Sequence, residues 1–208
     1  MKSSRDNVLI AVFGALFLLS VFMMVSQQGV RTTGHATTST TVSNVTISIF
    51  FAVDMSTNLS DGIRFGNITA LPTIDQNASH NYDGVNTTIS NTTAGNTLPG
   101  TSMWMNVSTD SNSRVDFCIQ ATDNLKTSAG DVLLVANETY YNSTLTNYTL
   151  PAPGSAIAIT TAYASAGRNI SQGSNNYYRF WLDVPAATAS GTYNNTINFK
   201  GVTYGGSC

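Results

Sequence analysis

Hydrophobic and polar positions follow two regimes along this chain. From Val8 to Val25 there is an apolar run of 18 residues without a charge. From Val42 onward no helical period is sustained, and β-branched and aromatic residues alternate with polar ones. The strongest alternation opens this second regime. Val45, Ile47, Ile49, Phe51 and Val53 share one parity, while Asn44, Thr46 and Ser48 share the other, which predicts a first strand over 42–54. Ser60-Asp-Gly is a turn signal, and Ile63 to Thr69 reads as a further strand, with a weak one at Val85 to Ile89. Residues 91–100, NTTAGNTLPG, read as loop. In Ser102 to Ser108, Met103, Met105 and Val107 point inward, and Trp104 and Asn106 outward. Val115 to Ala121 puts Val115, Phe117 and Ile119 on one face; Val132 to Ala136, Thr139 to Leu150 and Ala156 to Tyr163 follow. Tyr177 to Val184 and Thr192 to Tyr204, joined by the turn-rich 185–191, look like the clearest pair. Parity assigns Tyr178 and Phe180 to the core and leaves Tyr177 and Trp181 on the other face. Roughly nine or ten short strands between turn signals predict an all-β fold. The expected form is an antiparallel β-sandwich, immunoglobulin-like or jelly-roll-like.

The N-terminal run predicts a hydrophobic helix. It is longer than the ~7–15 apolar residues of a secretory signal and close to the ~17 that a membrane span requires at minimum. Lys2 and Arg5 precede it, so the N-terminus stays inside and the rest crosses. Met24-Val25-Ser26 is a poor cleavage site, and Gly34-His35-Ala36 fits the pattern but lies far beyond the run. Two readings of 1–30 therefore stand, an uncleaved anchor and a cleaved signal, and both place the chain beyond Val42 outside the membrane. Residues 31–41, RTTGHATTSTT, form a Thr-rich linker. Residues 42–208 form the ectodomain.

Composition narrows the function classes. Charged residues are 10% of the chain, against about 25% in ordinary soluble domains, and the net charge is -2. With no basic excess, no nucleic-acid partner is expected. Polarity comes instead from Asn, Thr and Ser. Asn-x-Ser/Thr begins at Asn44, Asn58, Asn67, Asn77, Asn86, Asn91, Asn106, Asn137, Asn142, Asn147, Asn169 and Asn194. A quarter of the chain is Ser or Thr, so its 21 Asn would give about five such motifs by chance. Twelve is an excess, which points to N-linked glycans on an exported, extracellular surface. A strand residue that carries a glycan must face outward; Asn44, Asn106 and Asn194 all lie on the polar parity of their strands.

Little in the chain can carry chemistry. Cys118 and Cys208 most simply form one disulfide in an oxidising exterior; free thiols or an intermolecular bridge from Cys208 are the alternatives. Two cysteines without companions at ligand spacing argue against zinc, and no metal or cofactor is expected. His35 lies in the linker and His80 in a loop, with no nucleophile elbow or metalloprotease helix beside them. Asp75 and Asp83 are oxygen donors in that same loop, without the spacing of a known calcium loop. No catalytic residues emerge. Tyr177 and Trp181 are the candidate ligand contacts, able to stack on a sugar or a partner if exposed. The first strand, at the end of a linker, is suited to pair within its own domain or to be donated to a neighbour.

Three segments carry a resemblance. They are 59–67 (LSDGIRFGN), 114–121 (RVDFCIQA), and 178–185 (YRFWLDVP) continuing into 189–200 (ASGTYNNTINFK), followed by a terminal Gly-Ser-Cys. Together they resemble a group of uncharacterised archaeal exported surface proteins. The resemblance covers most of the ectodomain and implies a β-rich, glycosylated surface domain without catalytic residues. The layout is also similar to archaeal type IV pilins, but this chain has no prepilin cleavage site, and 29–41 interrupts a long helix. The expected function is a non-catalytic structural cell-surface glycoprotein, a pilus or filament subunit. Its partners are copies of itself, with the membrane through an uncleaved N-terminal helix, and strand donation by 42–54 is the expected link. A membrane-anchored adhesion or carbohydrate-binding module is the alternative.

Overall fold

The computed structural model describes residues 44–83, 100–146 and 156–208, together with Phe13, Ala15, Leu16 and Leu18, which are helical and exposed. The rest of the expected 1–30 helix, the 31–41 linker and the weak strand Val85 to Ile89 lie outside the described residues. The chain divides into two compact units, Met1–Thr46 and Ile47–Cys208. The architecture below is that of the second.

It is mostly β, and every strand pair is antiparallel. In chain order the strands are β1 (Val53–Met55), β2 (Thr73–Asn77), β3 (Trp104–Val107), β4 (Val115–Ala121), β5 (Leu125–Lys126) and β6 (Val132–Leu133). They continue with β7 (Glu138–Ser143), β8 (Ile157–Ala158), β9 (Ala164–Ile170), β10 (Asn175–Val184) and β11 (Ile197–Thr203). One sheet runs β1-β3-β10-β7-β8, and a second runs β11-β4-β9. β10 is the hub of the first sheet. Its start pairs with β3 and its end with β2 along one edge, while β7 fills the other edge. β5 and β6 form a short separate ladder.

Both sheets feed one apolar cluster. Phe117 and Ile119 enter it from β4, Met105 and Val107 from β3, and Tyr178 and Phe180 from β10. Burial of each such side chain stabilises by about 1.5–3 kcal/mol as an upper estimate. Tyr178 meets Phe199 of β11 edge-on at 5.2 Å, so the contact passes from one sheet to the other. Polar bonds join the sheets along β9, where the Tyr140 hydroxyl of β7 donates to the Ser165 carbonyl at 2.9 Å. The Asn176 Nδ2 and the Tyr178 hydroxyl both donate to the Ala166 oxygen at 2.8 Å. Gly167 makes this approach feasible, since a Cβ there would lie 2.5 Å from Asn176 Nδ2.

The strand over 115–121 forms as its alternation predicts, and 104–107 faces inward through Met105 and Val107. Four regions differ from the sequence pattern. The expected first strand 42–54 is reduced to β1, because only Val53 to Met55 pair in a ladder, on β3, while the Ala52 and Phe50 carbonyls accept from the Ser108 and Asn112 N–H groups of a turn. Upstream, the chain is held by loop groups instead of a ladder. Phe50 N–H donates to Asn112 Oδ1 at 2.7 Å, and Ala52 N–H to Ser111 Oγ at 3.0 Å. Tyr177–Val184 and Thr192–Tyr204 do not pair. Both edges of β10 are already filled, so the chain after 185–191 changes sheets and β11 lies on β4 with Ile197 opposite Ala121. Ile63 to Thr69 forms no strand; β2 follows it instead. β9, whose sequence ASAGRNI is nearly free of large apolar residues, gave no sequence signal, yet it flanks β4 with two register irregularities.

Candidate functional site

The disulfide is Cys118–Cys208, with Cα atoms 5.7 Å apart. Cys118 stands opposite Lys200 in the β4–β11 ladder, and Lys200 Nζ donates to the Cys208 carbonyl at 2.8 Å. The C-terminus is thereby fastened to the middle of the second sheet.

The twelve glycan motifs do not share one environment. Asn44, Asn67, Asn169 and Asn194 are exposed. Asn58, Asn106, Asn137 and Asn142 are half-buried, and the Asn106 Nδ2 already donates to the Ser174 carbonyl and, at 2.6 Å, to Asn175 Oδ1. Asn86, Asn91 and Asn147 lie outside the described residues. Asn77 is a correction. It is 2% exposed, because β2 lies alongside β10 and the Asn77 carboxamide oxygen accepts from Asn81 Nδ2 and the Tyr82 hydroxyl. A glycan cannot be carried at that position in this fold.

The candidate ligand contacts need a second correction. Trp181 is 6% exposed, in register between Asn77 of β2 and Thr139 of β7. Tyr177 is half-buried, and its hydroxyl accepts from Asn175 Nδ2. The outer face of β10 is therefore covered, not open for stacking. Over Arg179 the cover is the turn after β2. Asn81 substitutes for a strand: its Oδ1 accepts from Phe180 N–H at 2.9 Å and its Nδ2 donates to the Phe180 carbonyl at 2.6 Å. Arg179, fully buried, donates from Nε to the Asn81 carbonyl and lies over the Tyr82 ring at 5.7 Å. Alternation in β10 signals only one buried face. The second was legible only as the Asn-rich run around Asn77 and Asn81, which reads as loop.

The acidic residues of this loop serve the fold. Asp83 accepts from the Thr101 N–H and hydroxyl and from the Ser102 hydroxyl. Burial pushes its pKa up, but these bonds and the Arg179 charge outweigh that and hold it below the usual carboxylate range. Asp75 shifts the other way, raised by burial and then by the nearby Asp183. Asp183 Oδ1 accepts from the Asp75 N–H. Among the described residues no group of three or more His, Cys, Asp or Glu gathers as a metal site. His80 sits in the turn with positive φ.

Among the described residues, a cleft of about 690 Å³ lies at the far end of β10. Ile63 to Thr69 forms one wall, residues 188–195 the other, and Leu125, Leu133, Leu182 and Val184 the floor. Those four floor residues are a second apolar cluster, with Phe65, Ile68 and Tyr193 against it. Glu138, 2% exposed, also lines it, and its Oε2 accepts from Asn195 Nδ2 at 2.9 Å. Burial pushes the Glu138 carboxyl up, partly offset by that bond. The segment that leads into β1 is apolar and uncovered. Val45 is 82% exposed, Ile47 78% and Ile49 68%.

No protein-family model, curated protein or solved structure matches this chain.

Proposed function

We propose that this chain is a non-catalytic structural glycoprotein of the cell exterior, exported through its N-terminal apolar segment, that assembles with copies of itself into filaments. The domain is a two-sheet sandwich, and the donated strand is the part of the 42–54 segment that lies upstream of β1. The carrying observation is the exposure of Val45, Ile47 and Ile49 at a spacing that gives a strand one apolar face. Isolated exposed apolar residues are ordinary, but a contiguous alternating set without a ladder partner favours a partner from outside the chain. The disulfide and the Asn-x-Ser/Thr excess support an oxidising, glycan-bearing exterior. The adhesion alternative loses its support, since it needed an open Trp181. The test is electron microscopy of the full chain beside its I47S/I49S variant. Filaments from the first and monomers from the second are expected. Monomers from both, or filaments from both, overturn the reading.

A further inference from the structure

This inference rests on the assembly reading and identifies what receives the donated segment. We propose that the cleft beside Ile63 to Thr69 accepts Val45 to Phe50 of a second copy of this chain as an added strand. Among the described residues, the N–H groups from Ile63 to Thr69 donate to no described group, while the Arg64 and Phe65 carbonyls accept from Ser79 and Gln76, so the part of this backbone edge left open is its N–H groups and the carbonyls from Gly66 to Thr69. Strand addition uses such an edge for affinity and side-chain pockets for register. The pockets are present: Leu133 and Leu182 form the floor, and Phe65, Ile68 and Tyr193 pack beside it. An added strand would press Val45, Ile47 and Ile49 onto these residues and leave Asn44, Thr46 and Ser48 in solvent. Asn44 would then keep its glycan outside the joint.

Charge agrees with this occupant. Residues 44–50 carry none. Of the charged residues lining the cleft, Glu138 is bonded to Asn195, and Arg64 reaches back to the Asp61 carbonyl. The donated segment therefore needs no counter-charge.

Geometry excludes self-insertion of the described residues. Ser48 to Ala52 is tied to Ser108, Ser111 and Asn112, at the end of the fold where β10 begins. The cleft lies where β10 ends, at Leu182 and Val184, about 30 Å away for a strand of this length. The tied residues Ser48 to Ala52 and the cleft thus lie toward opposite ends of β10. Such a contact is head-to-tail and does not close on itself, so it propagates into a filament.

The receptor for the test is the full chain carrying I47S and I49S, which cannot donate. A fluorescent peptide of residues 43–51 is titrated into it. Saturable binding is expected, lost with an I47S/I49S peptide. It should weaken at least about tenfold when Ser190→Trp or Thr192→Trp narrows the cleft. Both positions are exposed, so the fold tolerates them, and circular dichroism checks this. In parallel, a chain with I47C and T192C is assembled and run without reductant. A ladder of covalent multimers supports the joint. Filaments without a ladder, with peptide binding unmoved by either Trp, overturn the cleft as acceptor and leave assembly intact. Peptide binding in the cleft without filaments upholds the acceptor and sinks the filament. Absence of both overturns both.

Discussion

β10 and the segment from Asn44 to Ala52 begin from similar material, alternating apolar and polar residues of high strand propensity. They end in opposite states. β10 is paired along both edges and covered on both faces, down to a fully buried Arg179. The N-terminal segment has the cleaner alternation, yet it bonds to the turn Ser108 to Asn112 and leaves its apolar parity in solvent. The difference lies in the neighbours. β10 has β3, β2 and β7 within reach, plus an asparagine that completes its ladder. The N-terminal segment finds none after Val53 takes its place beside Val107. Alternation states that a strand has two different faces; the edges decide whether it becomes one.

The largest expected effect on the ordered side of this comparison comes from the disulfide. Cys118 and Cys208 are 90 residues apart. Paired replacement by serine should cost about 4–5 kcal/mol in the chain-entropy account. Chemical denaturation of the two proteins measures it; a loss below about 1 kcal/mol would mean that β4 and β11 need no covalent tie. Next comes Asn81→Ala. It leaves the buried Phe180 N–H without its side-chain partner, while the Phe180 carbonyl keeps the Ala78 N–H at 3.1 Å, at about 1–3 kcal/mol for the one orphaned group. Hydrogen exchange at Phe180 should rise with it, which would show β10 losing its second cover. An unchanged exchange rate would assign the cover to other residues.

How much was legible follows the same division. β4 was readable because Val115, Phe117 and Ile119 alternate on a core face. The cysteine pair was readable because two cysteines allow one intramolecular bridge. β9 was not, since Ala166 and Gly167 are selected for closeness to Asn176 and not for hydrophobicity. The end of β10 misled for a topological reason. A turn-rich 185–191 between two strands suggests a hairpin, but strand edges already occupied elsewhere are invisible to local pattern. Asn77 and Trp181 failed together, because they stand opposite each other in the β2–β10 ladder on a face that is buried. The cleft was illegible for the same reason: its walls come from segments far apart in the chain.

Smaller shifts separate two carboxyls by pH. Glu138 is raised by burial, so its contribution is fully present below the unfolded-chain value, near 4.3, and is lost as pH rises through the folded value. Glu138→Gln should therefore stabilise at neutral pH, on the order of 1 kcal/mol, with the gain vanishing in acid. Asp83 is lowered, so its contribution is present above about 3.9 and is lost as pH falls through the folded value. Asp83→Asn should destabilise at neutral pH and converge with the parent in acid. Thermal melts across pH for both variants check the pair of opposite slopes; parallel curves would contradict both assignments.

The smallest effect on the fold belongs to the N-terminal segment. Ile47 and Ile49 are already in water, so replacing both with serine removes little buried area and should leave the melting curve within about ±0.5 kcal/mol. The same two substitutions should abolish association. This contrast is what distinguishes a donated strand from a frayed one. A frayed strand that still packs part of the time in its own domain would lose stability when made polar, and its association state would not change. A donated strand loses its partner and nothing else. Melting and sedimentation of one variant therefore read both sides: unchanged stability with lost assembly places the apolar face of Val45, Ile47 and Ile49 between molecules, and lost stability with unchanged sedimentation returns it to its own.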